Sequence, residues 1–357
     1  MKLSRPAALL AALVLAGCSS AIPVIKNQQS FVEVEVFYAT DRARTGSTQP
    51  AFFYGGGRGT LEYGISAVSI PRLHKKGELE SPSWWKLEFS EDPERHVILR
   101  QVAPLEAADF ERVVAERAQA SAGKDILVFV HGFNVTFEDA LRRTAQIAYD
   151  LKFAGTPIAY SWPSQGSAAP LGYTTDETNV EWTEPHLRQF LVDLKAGAGA
   201  GVRIHLVAHS MGNRALTKVL RSLALDNRAA LFNQVILAAP DIDREVFERD
   251  IAPAMLSAAT RTTLYASSQD RALMLSAKVH NYARAGQSDP PLVYVPGLDT
   301  VDASGIDTST LGHSYFADQP VLLNDLLLLL RNGMAPPARK LRALPPDAPR
   351  YWAFPQP

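Results

Sequence analysis

From Ala107 onward, short continuous apolar runs alternate with longer stretches whose apolar residues recur every three or four positions. The runs at 126–130, 158–161, 203–208, 235–239, 262–266 and 292–295 have strand length. A strand that is apolar on both sides belongs in a sheet covered on both faces. Between these runs the period is helical. Thr136 is placed as an N-cap with Asp139 three residues on, and Phe137, Leu141, Ala148 and Leu151 then share one face. Leu187, Phe190, Leu191 and Leu194 make a second stripe, which Gly197 stops. Strand and helix in alternation predict an α/β architecture, a doubly wound and mostly parallel sheet.

The pattern before Ala107 is different. Segments 31–39, 61–70, 85–89 and 96–102 read as strands, with the polar 90–95 stretch as a hairpin connection, so antiparallel strands precede the parallel part. Gly55-Gly56-Gly57-Arg58-Gly59 reads as a flexible loop. It lacks the Gly-Lys-Ser/Thr ending of a phosphate-binding loop. Segment 162–184 has no clear period and leaves the C-terminal end of a strand. Trp162, Tyr173 and Asp176 could there line a substrate pocket or form a lid; alternatively the segment is a surface excursion with Trp162 packed on the core. Segment 322–330 is strongly apolar yet too short to span a bilayer, and predicts the last buried helix. Seven prolines follow Met334, which predicts an extended tail that docks back through Tyr351, Trp352 and Phe354.

Candidate chemistry is concentrated at strand ends. The apolar run through Val207 ends in Ala208-His209-Ser210-Met211-Gly212 and continues into a helical stretch. Strand, x-His-Ser-x-Gly, helix is the pattern of a nucleophile elbow, with Ala208 standing where the first glycine usually is. The run 126–130 ends in His131-Gly132-Phe133-Asn134. In α/β-hydrolases the loop at this place and the residue after the nucleophile supply the two oxyanion-hole N–H groups, which here makes them Phe133 and Met211. The same fold orders its triad as Ser, then Asp or Glu, then His. Asp270, in the turn after 262–266, is the candidate acid, with Asp241 and Asp243 after 235–239 in reserve. His313 lies in a loop and is the candidate base, ahead of His280, which sits in a helical stretch. Ser210 then attacks, His313 takes its proton, and Asp270 holds the imidazole. No His-Glu-x-x-His or similar ligand spacing occurs, so no metal is expected. His205 reads as a satisfied core histidine, and His209 as a residue that positions the elbow.

Lys2 and Arg5 precede an apolar run from Ala7 to Ala16, the length of a secretory signal. It ends in Leu15-Ala16-Gly17-Cys18, which resembles a bacterial lipobox, and Cys18 is the only cysteine. Residues 1–17 are accordingly expected to be removed, leaving lipid on Cys18, a tether to residue 30, one domain over 31–334 and a tail over 335–357. Ser19 rather than Asp follows Cys18, which by resemblance to Gram-negative lipoproteins points to the outer membrane, facing the periplasm. A single cysteine also means no internal disulfide. The 36 basic and 37 acidic side chains leave a formal charge of −1, without the basic footprint that nucleic acid requires.

The chain resembles a family of bacterial α/β-hydrolases of unknown function, many of them lipoproteins. The resemblance runs from about Phe31 to Arg331. It is carried by Val36-Phe37-Tyr38-Ala39-Thr40-Asp41-Arg42, Tyr63-Gly64, Val68-Ser69-Ile70-Pro71 and His131-Gly132-Phe133-Asn134. Further carriers are Ser161-Trp162-Pro163-Ser164, His209-Ser210-Met211-Gly212-Asn213-Arg214, Ser268-Gln269-Asp270-Arg271-Ala272-Leu273 and Gly312-His313-Ser314-Tyr315. It implies an α/β-hydrolase fold and serine hydrolase activity, and it names no substrate. Arg42 and Arg214 match family positions that have no assigned role, and structural ion pairing is their default reading. The expectation is therefore an envelope-anchored serine hydrolase that cleaves an ester or related acyl bond through an acyl-enzyme. It needs no cofactor, and its partners are an acyl substrate and the membrane that holds the lipid on Cys18, with no obligate protein partner. The rivals are an amidase or peptidase with the same triad, and a non-catalytic scaffold that binds an envelope partner.

Overall fold

The computed structural model describes residues 30–82, 88, 90–167, 170–226, 230–306, 315–345 and 350–355. Cys18 and the expected signal, His313 and most of the strand expected at 85–89 lie outside these. The first strands are β1 (Phe31–Arg44), β2 (Tyr54–Pro71), β3 (Ile98–Leu105), β4 (Asp125–Val130), β5 (Thr156–Ser161) and β6 (Arg203–His209). They are followed by β7 (Phe232–Ala238), β8 (Ala259–Ala266), β9 (Leu298–Asp302), β10 (Arg342–Leu344) and β11 (Tyr351–Ala353). All join one sheet in the order β10-β11-β9-β8-β7-β6-β4-β5-β1-β2-β3. The run from β1 through β5, β4, β6, β7, β8 and β9 to β11 is parallel; β2, β3 and β10 join through antiparallel pairings.

Helices cover both faces. They are α1 (Ala107–Ala120), α2 (Phe137–Asp150), α3 (Pro170–Trp182), α4 (Glu184–Gly197) and α5 (Gly212–Leu225), the short α6 (Arg244–Val246) and α7 (Ala252–Met255), then α8 (Arg271–His280), α9 (Tyr315–Asp318) and α10 (Pro320–Asn332). One core layer holds Phe110 of α1, Leu187 and Phe190 of α4 and Leu216 of α5. The other holds Ile147 and Leu151 beside Leu322, Leu326 and Leu329 of α10. Two layers on opposite faces are what strands buried on both sides demand. The helix expected after Thr136 begins with that cap, whose hydroxyl accepts the Asp139 N–H at 3.1 Å.

Three segments differ from expectation, and the tail, which docks back as expected, also extends the sheet. The glycine cluster at 55–59 is not a loop but part of β2, paired across two register slips with Arg42 and Arg44. A Cβ at Gly59 would stand 2.6 Å from the Arg42 carbonyl oxygen, so close strand approach accounts for that glycine. Segment 292–295 is not a strand. Pro290-Pro291 and Pro296 flank it without N–H donors, its apolar residues pack against the core, and β9 forms only from Leu298. Segment 162–184 contains α3. Its buried positions Gly172, Asp176, Asn179 and Val180 follow helical spacing, but two of them are polar, so no apolar period appears. The tail continues the sheet: β11 pairs with β9 through Trp352 and Ala353, and Arg339 forms a buried ion pair with Asp325 of α10 at 2.5 Å.

A second buried cluster ties the 71–80 loop to the end of α2. His74 meets Glu80 through Nδ1 at 2.8 Å and Asp150 through Nε2 at 3.0 Å. Burial alone pulls the imidazole down, but its hydrogen bonds to Asp150 and Glu80 outweigh that and carry its pKa from 6.5 to about 9. A raised folded pKa gives stability that is fully present below the unfolded value and is lost as pH rises through the folded one. His74→Gln should therefore destabilise the fold by roughly 2 kcal/mol at neutral pH. Denaturant titration of both proteins should show that gap closing as pH rises past about 9; a gap unchanged there contradicts the assignment.

Candidate active site

Ser210 directly follows β6 and starts the turn into α5. Its φ is +51°, a left-handed value that a non-glycine residue adopts only where surrounding structure enforces it. The enforcement is visible on three sides. The Ser210 N–H donates to the Ala238 carbonyl at 3.0 Å, the Ser210 carbonyl accepts from the Asn213 side chain at 3.1 Å, and it accepts from the Asp241 N–H at 3.3 Å. Behind the turn, a Cβ at Gly212 would lie 2.2 Å from the His131 carbonyl oxygen. In front, a Cβ at Gly132 would lie 2.9 Å from the Ser210 Cβ. Both glycines are therefore required by close backbone approach, and Ala208 substitutes for the third at no visible steric cost.

The same approach brings the 131–135 loop against Ser210. Among the described residues, neither the Phe133 nor the Met211 N–H is held by another protein acceptor. The loop beyond Phe133 is strapped from both sides. Asn134, itself at φ +58°, donates its N–H to Asp176 Oδ2 at 3.4 Å, and the Val135 N–H reaches Ser164 Oγ at 3.1 Å. Ser164 Oγ in turn donates to Asp176 at 2.5 Å, and the Gln165 N–H donates to the same carboxylate at 2.8 Å. On the other side the buried Arg42 guanidinium donates to the Val135 carbonyl at 2.7 Å, to the Ser164 carbonyl at 2.8 Å and to the Gly55 carbonyl at 3.1 Å. Its Nε donates to Ser161 Oγ at 2.8 Å, and its remaining N–H points at His131 Nε2, 3.3 Å away. Arg42 thus works as a carbonyl clamp rather than the ion pair expected of it. Burial pushes it down to about 10, against the opposing charges of Asp41, Asp176 and Asp139.

His131 is neutral beneath this clamp. Burial and then the Arg42 charge hold its pKa well below the usual imidazole value, with Nδ1 donating to the Gly132 carbonyl at 2.8 Å. Trp162 stacks on its ring at 5.0 Å and donates its indole N–H to the His131 carbonyl at 2.7 Å. Trp162 is fully buried, so it supports the loop from below. That burial is the core packing held as the alternative to a place in a pocket wall. Tyr173 of α3 is only partly buried and meets Phe133 edge to face at 5.2 Å.

Of the acid candidates, Asp270 ends the turn after β8, is fully buried, and caps α8 by accepting the Leu273 N–H at 3.0 Å. Asp241 is committed elsewhere. One oxygen accepts from Ser276 at 2.6 Å and Arg284 at 2.7 Å, the other from Tyr173 at 2.8 Å and Arg214 at 2.9 Å. Burial raises its pKa, but the Arg214 and Arg284 charges more than reverse that and hold the carboxyl well below the usual range. No lone pair remains for an imidazole, so Asp241 is a structural anion. Asp243 caps α6 through the Val246 N–H. His280 has both ring nitrogens engaged, Nδ1 with the Ser276 carbonyl and Nε2 with Glu177, each at 2.8 Å, which removes it as a base. His209 stacks on Phe316 at 4.7 Å. His205 bonds Asp125 at 3.1 Å through Nε2, while its Nδ1 has no hydrogen-bond partner among the described residues. Arg284 and Ser276 were not legible as site supports: Arg284 stands between two alanines, and a serine on an apolar helix carries no distinctive spacing.

A serine at a left-handed elbow, a glycine loop pressed against it and a parallel sheet with both at its C-terminal edge define an α/β-hydrolase. Residues 106–331 match the family described as "Alpha/beta hydrolase of unknown function (DUF900)", and the chain belongs to it. Among solved structures, an esterase from the archaeon Pyrobaculum calidifontis shares 11% identity over 85% of this chain and 83% of its own, with a TM-score of 0.32. A thermostable esterase from Pseudomonas putida ECU1011 shares 11% over 85% and 82%, with a TM-score of 0.31. No curated protein matches the chain.

Two substitutions test the supports of the elbow. Gly212→Ala places a methyl group inside the His131 carbonyl and should cost roughly 3 kcal/mol. Asp241→Asn removes the carboxylate that pairs the buried Arg284 and the half-buried Arg214 and should cost about 3–5 kcal/mol. Urea unfolding reads both, and a loss under about 1 kcal/mol in either would show that the close contacts there relax freely.

Proposed function

We propose that this chain is a serine hydrolase that cleaves an ester or related acyl bond. In this reading Ser210 Oγ attacks the acyl carbonyl while His313 takes its proton, and the Phe133 and Met211 N–H groups receive the developing oxyanion. The leaving alkoxide takes the proton back from His313. Water, deprotonated by His313, then breaks the acyl–Ser210 bond, and Asp270 holds the imidazole throughout. The observation that carries the reading is Ser210 at φ +51° between Gly132 and Gly212, a geometry that turns the hydroxyl out of the strand. Asp270, buried at the end of β8, fits the acid by position, and Gly312-His313-Ser314 follows β9 in the order the triad requires. The reading also has the chain anchored in the cell envelope through lipid on Cys18, facing the periplasm from the outer membrane, and acting without a cofactor.

In this mechanism Asp176 is a positioning residue for the oxyanion loop, because it holds the Asn134 N–H next to Phe133. With short-chain p-nitrophenyl esters, Ser210→Ala should lower kcat/KM by roughly a thousandfold or more while leaving the fold intact. Asp176→Asn should lower kcat roughly tenfold or more with KM little changed, since the displaced N–H acts in the transition state. Full activity in Ser210→Ala would refute the nucleophile. A raised KM with unchanged kcat in Asp176→Asn would make that residue part of substrate binding instead.

A further inference from the structure

Most exposed large apolar side chains of this protein, such as Phe52, Leu73 and Leu225, stand singly on separate elements. Helix α8 is the exception. Met274, Leu275 and Val279 are 41%, 64% and 61% exposed, and Tyr282 just beyond the helix is 59% exposed. Arg271, Leu275, Lys278 and Val279 fall at i, i+4, i+7 and i+8, one stripe of helical surface, and Tyr282 follows the left-handed Asn281 that ends the helix. The helix cannot hide this stripe by rotating. Its inner face is pinned by Leu273 in the core, by Ser276 on Asp241 at 2.6 Å and by His280 on Glu177 at 2.8 Å. Leu171, 81% exposed, opens the adjoining α3, which runs beside α8 through the Tyr173–Ser276 and Glu177–His280 contacts.

We propose that this face of α8 docks the protein onto an anionic lipid bilayer. Leu275 and Val279 enter the boundary between headgroups and acyl chains, Tyr282 sits at headgroup level, and Lys278 meets lipid phosphate. Charge selects this occupant. Lys278, in the middle of the stripe, is cationic and exposed, and the acid on the adjoining α3, Glu177, is already matched by Arg214 at 2.7 Å and by His280. Size selects it too. A ten-residue helix offers a strip roughly 15 Å long and 10 Å wide, far below the ~800 Å² per partner of a stable protein interface. The strip is apolar enough for shallow insertion, and a bilayer does not require matching contours. Since Asp270 caps α8 and the helix's inner face meets Asp241, which bonds the Ser210 carbonyl, docking through it turns the C-terminal edge of the sheet toward the lipid. This contact is separate from any anchor at Cys18 and does not depend on the serine chemistry.

The test uses the full chain carrying Cys18→Ser, with one cysteine introduced at Leu275, Val279 or, as control, the exposed Thr178 of α3, each labelled with an environment-sensitive nitrobenzoxadiazole dye. On phosphatidylethanolamine vesicles containing phosphatidylglycerol, labels at 275 and 279 should brighten and shift to the blue, and the label at 178 should not. Lys278→Glu should weaken co-sedimentation with these vesicles at least about fivefold, and pure phosphatidylcholine vesicles should capture less protein than the anionic ones. Co-sedimentation without a shift at 275 and 279 would place the contact on another surface and overturn the proposal. An equal shift at 178, no vesicle binding, or a concentration-dependent shift without vesicles, which marks a second copy on α8, would overturn it as well. None of these readouts requires catalytic activity, so a failed docking surface and a failed serine nucleophile remain distinguishable.

Discussion

The arrangement at the sheet's C-terminal edge depends on one backbone conformation, the left-handed turn at Ser210. A residue with a Cβ held at φ +51° costs of order 1–3 kcal/mol, and it persists only when neighbouring structure leaves no alternative. Here the neighbours are strand β7, whose Ala238 carbonyl receives the Ser210 N–H, and the 131–132 backbone, packed so closely that Gly132 and Gly212 cannot carry side chains. The parallel register of β4, β6 and β7 sets those distances, so sheet packing sustains the strain. The outcome is that Ser210 and the 131–132 backbone meet where strands end and helices begin, the region where open α/β sheets bind ligands.

Around this turn the charges are structural and mutually neutralising. Arg42 spends its donors on carbonyls and His131 beneath the 131–135 loop, and Asp176 gathers N–H and O–H groups from the opposite side. Asp241 is saturated by two arginines, a tyrosine and a serine. Each of these groups is costly to bury alone and inexpensive when fully partnered, so the shell is rigid as a set and fragile to single substitutions. Asp270 is buried at the end of a different strand, β8, where its carboxylate caps α8.

The parallel strands and their helices were legible because strands buried on both faces give continuous apolar runs and helices packed on one face give a 3.6-residue period. Where burial involves polar residues, that signal vanishes. Helix α3 was missed because Asp176 and Asn179 occupy its inner face, and the glycines at 55–59 resembled a loop because close strand approach and flexibility use the same residue. Segment 292–295 misled for the opposite reason, being apolar for packing between prolines that preclude pairing. At the site, the elbow and the glycine loop were readable from local motifs. The clamp of Arg42 on the 131–135 loop joins residues about ninety positions apart and has no local signature, and Trp162, the residue beneath that loop, read equally well as a pocket wall.

The most direct test of the central claim is reaction of the folded protein with a fluorophosphonate, followed by intact-mass analysis and peptide mapping. The account predicts one covalent adduct, on Ser210, absent from Ser210→Ala. A folded protein that takes no adduct, or takes it on another residue, would contradict it.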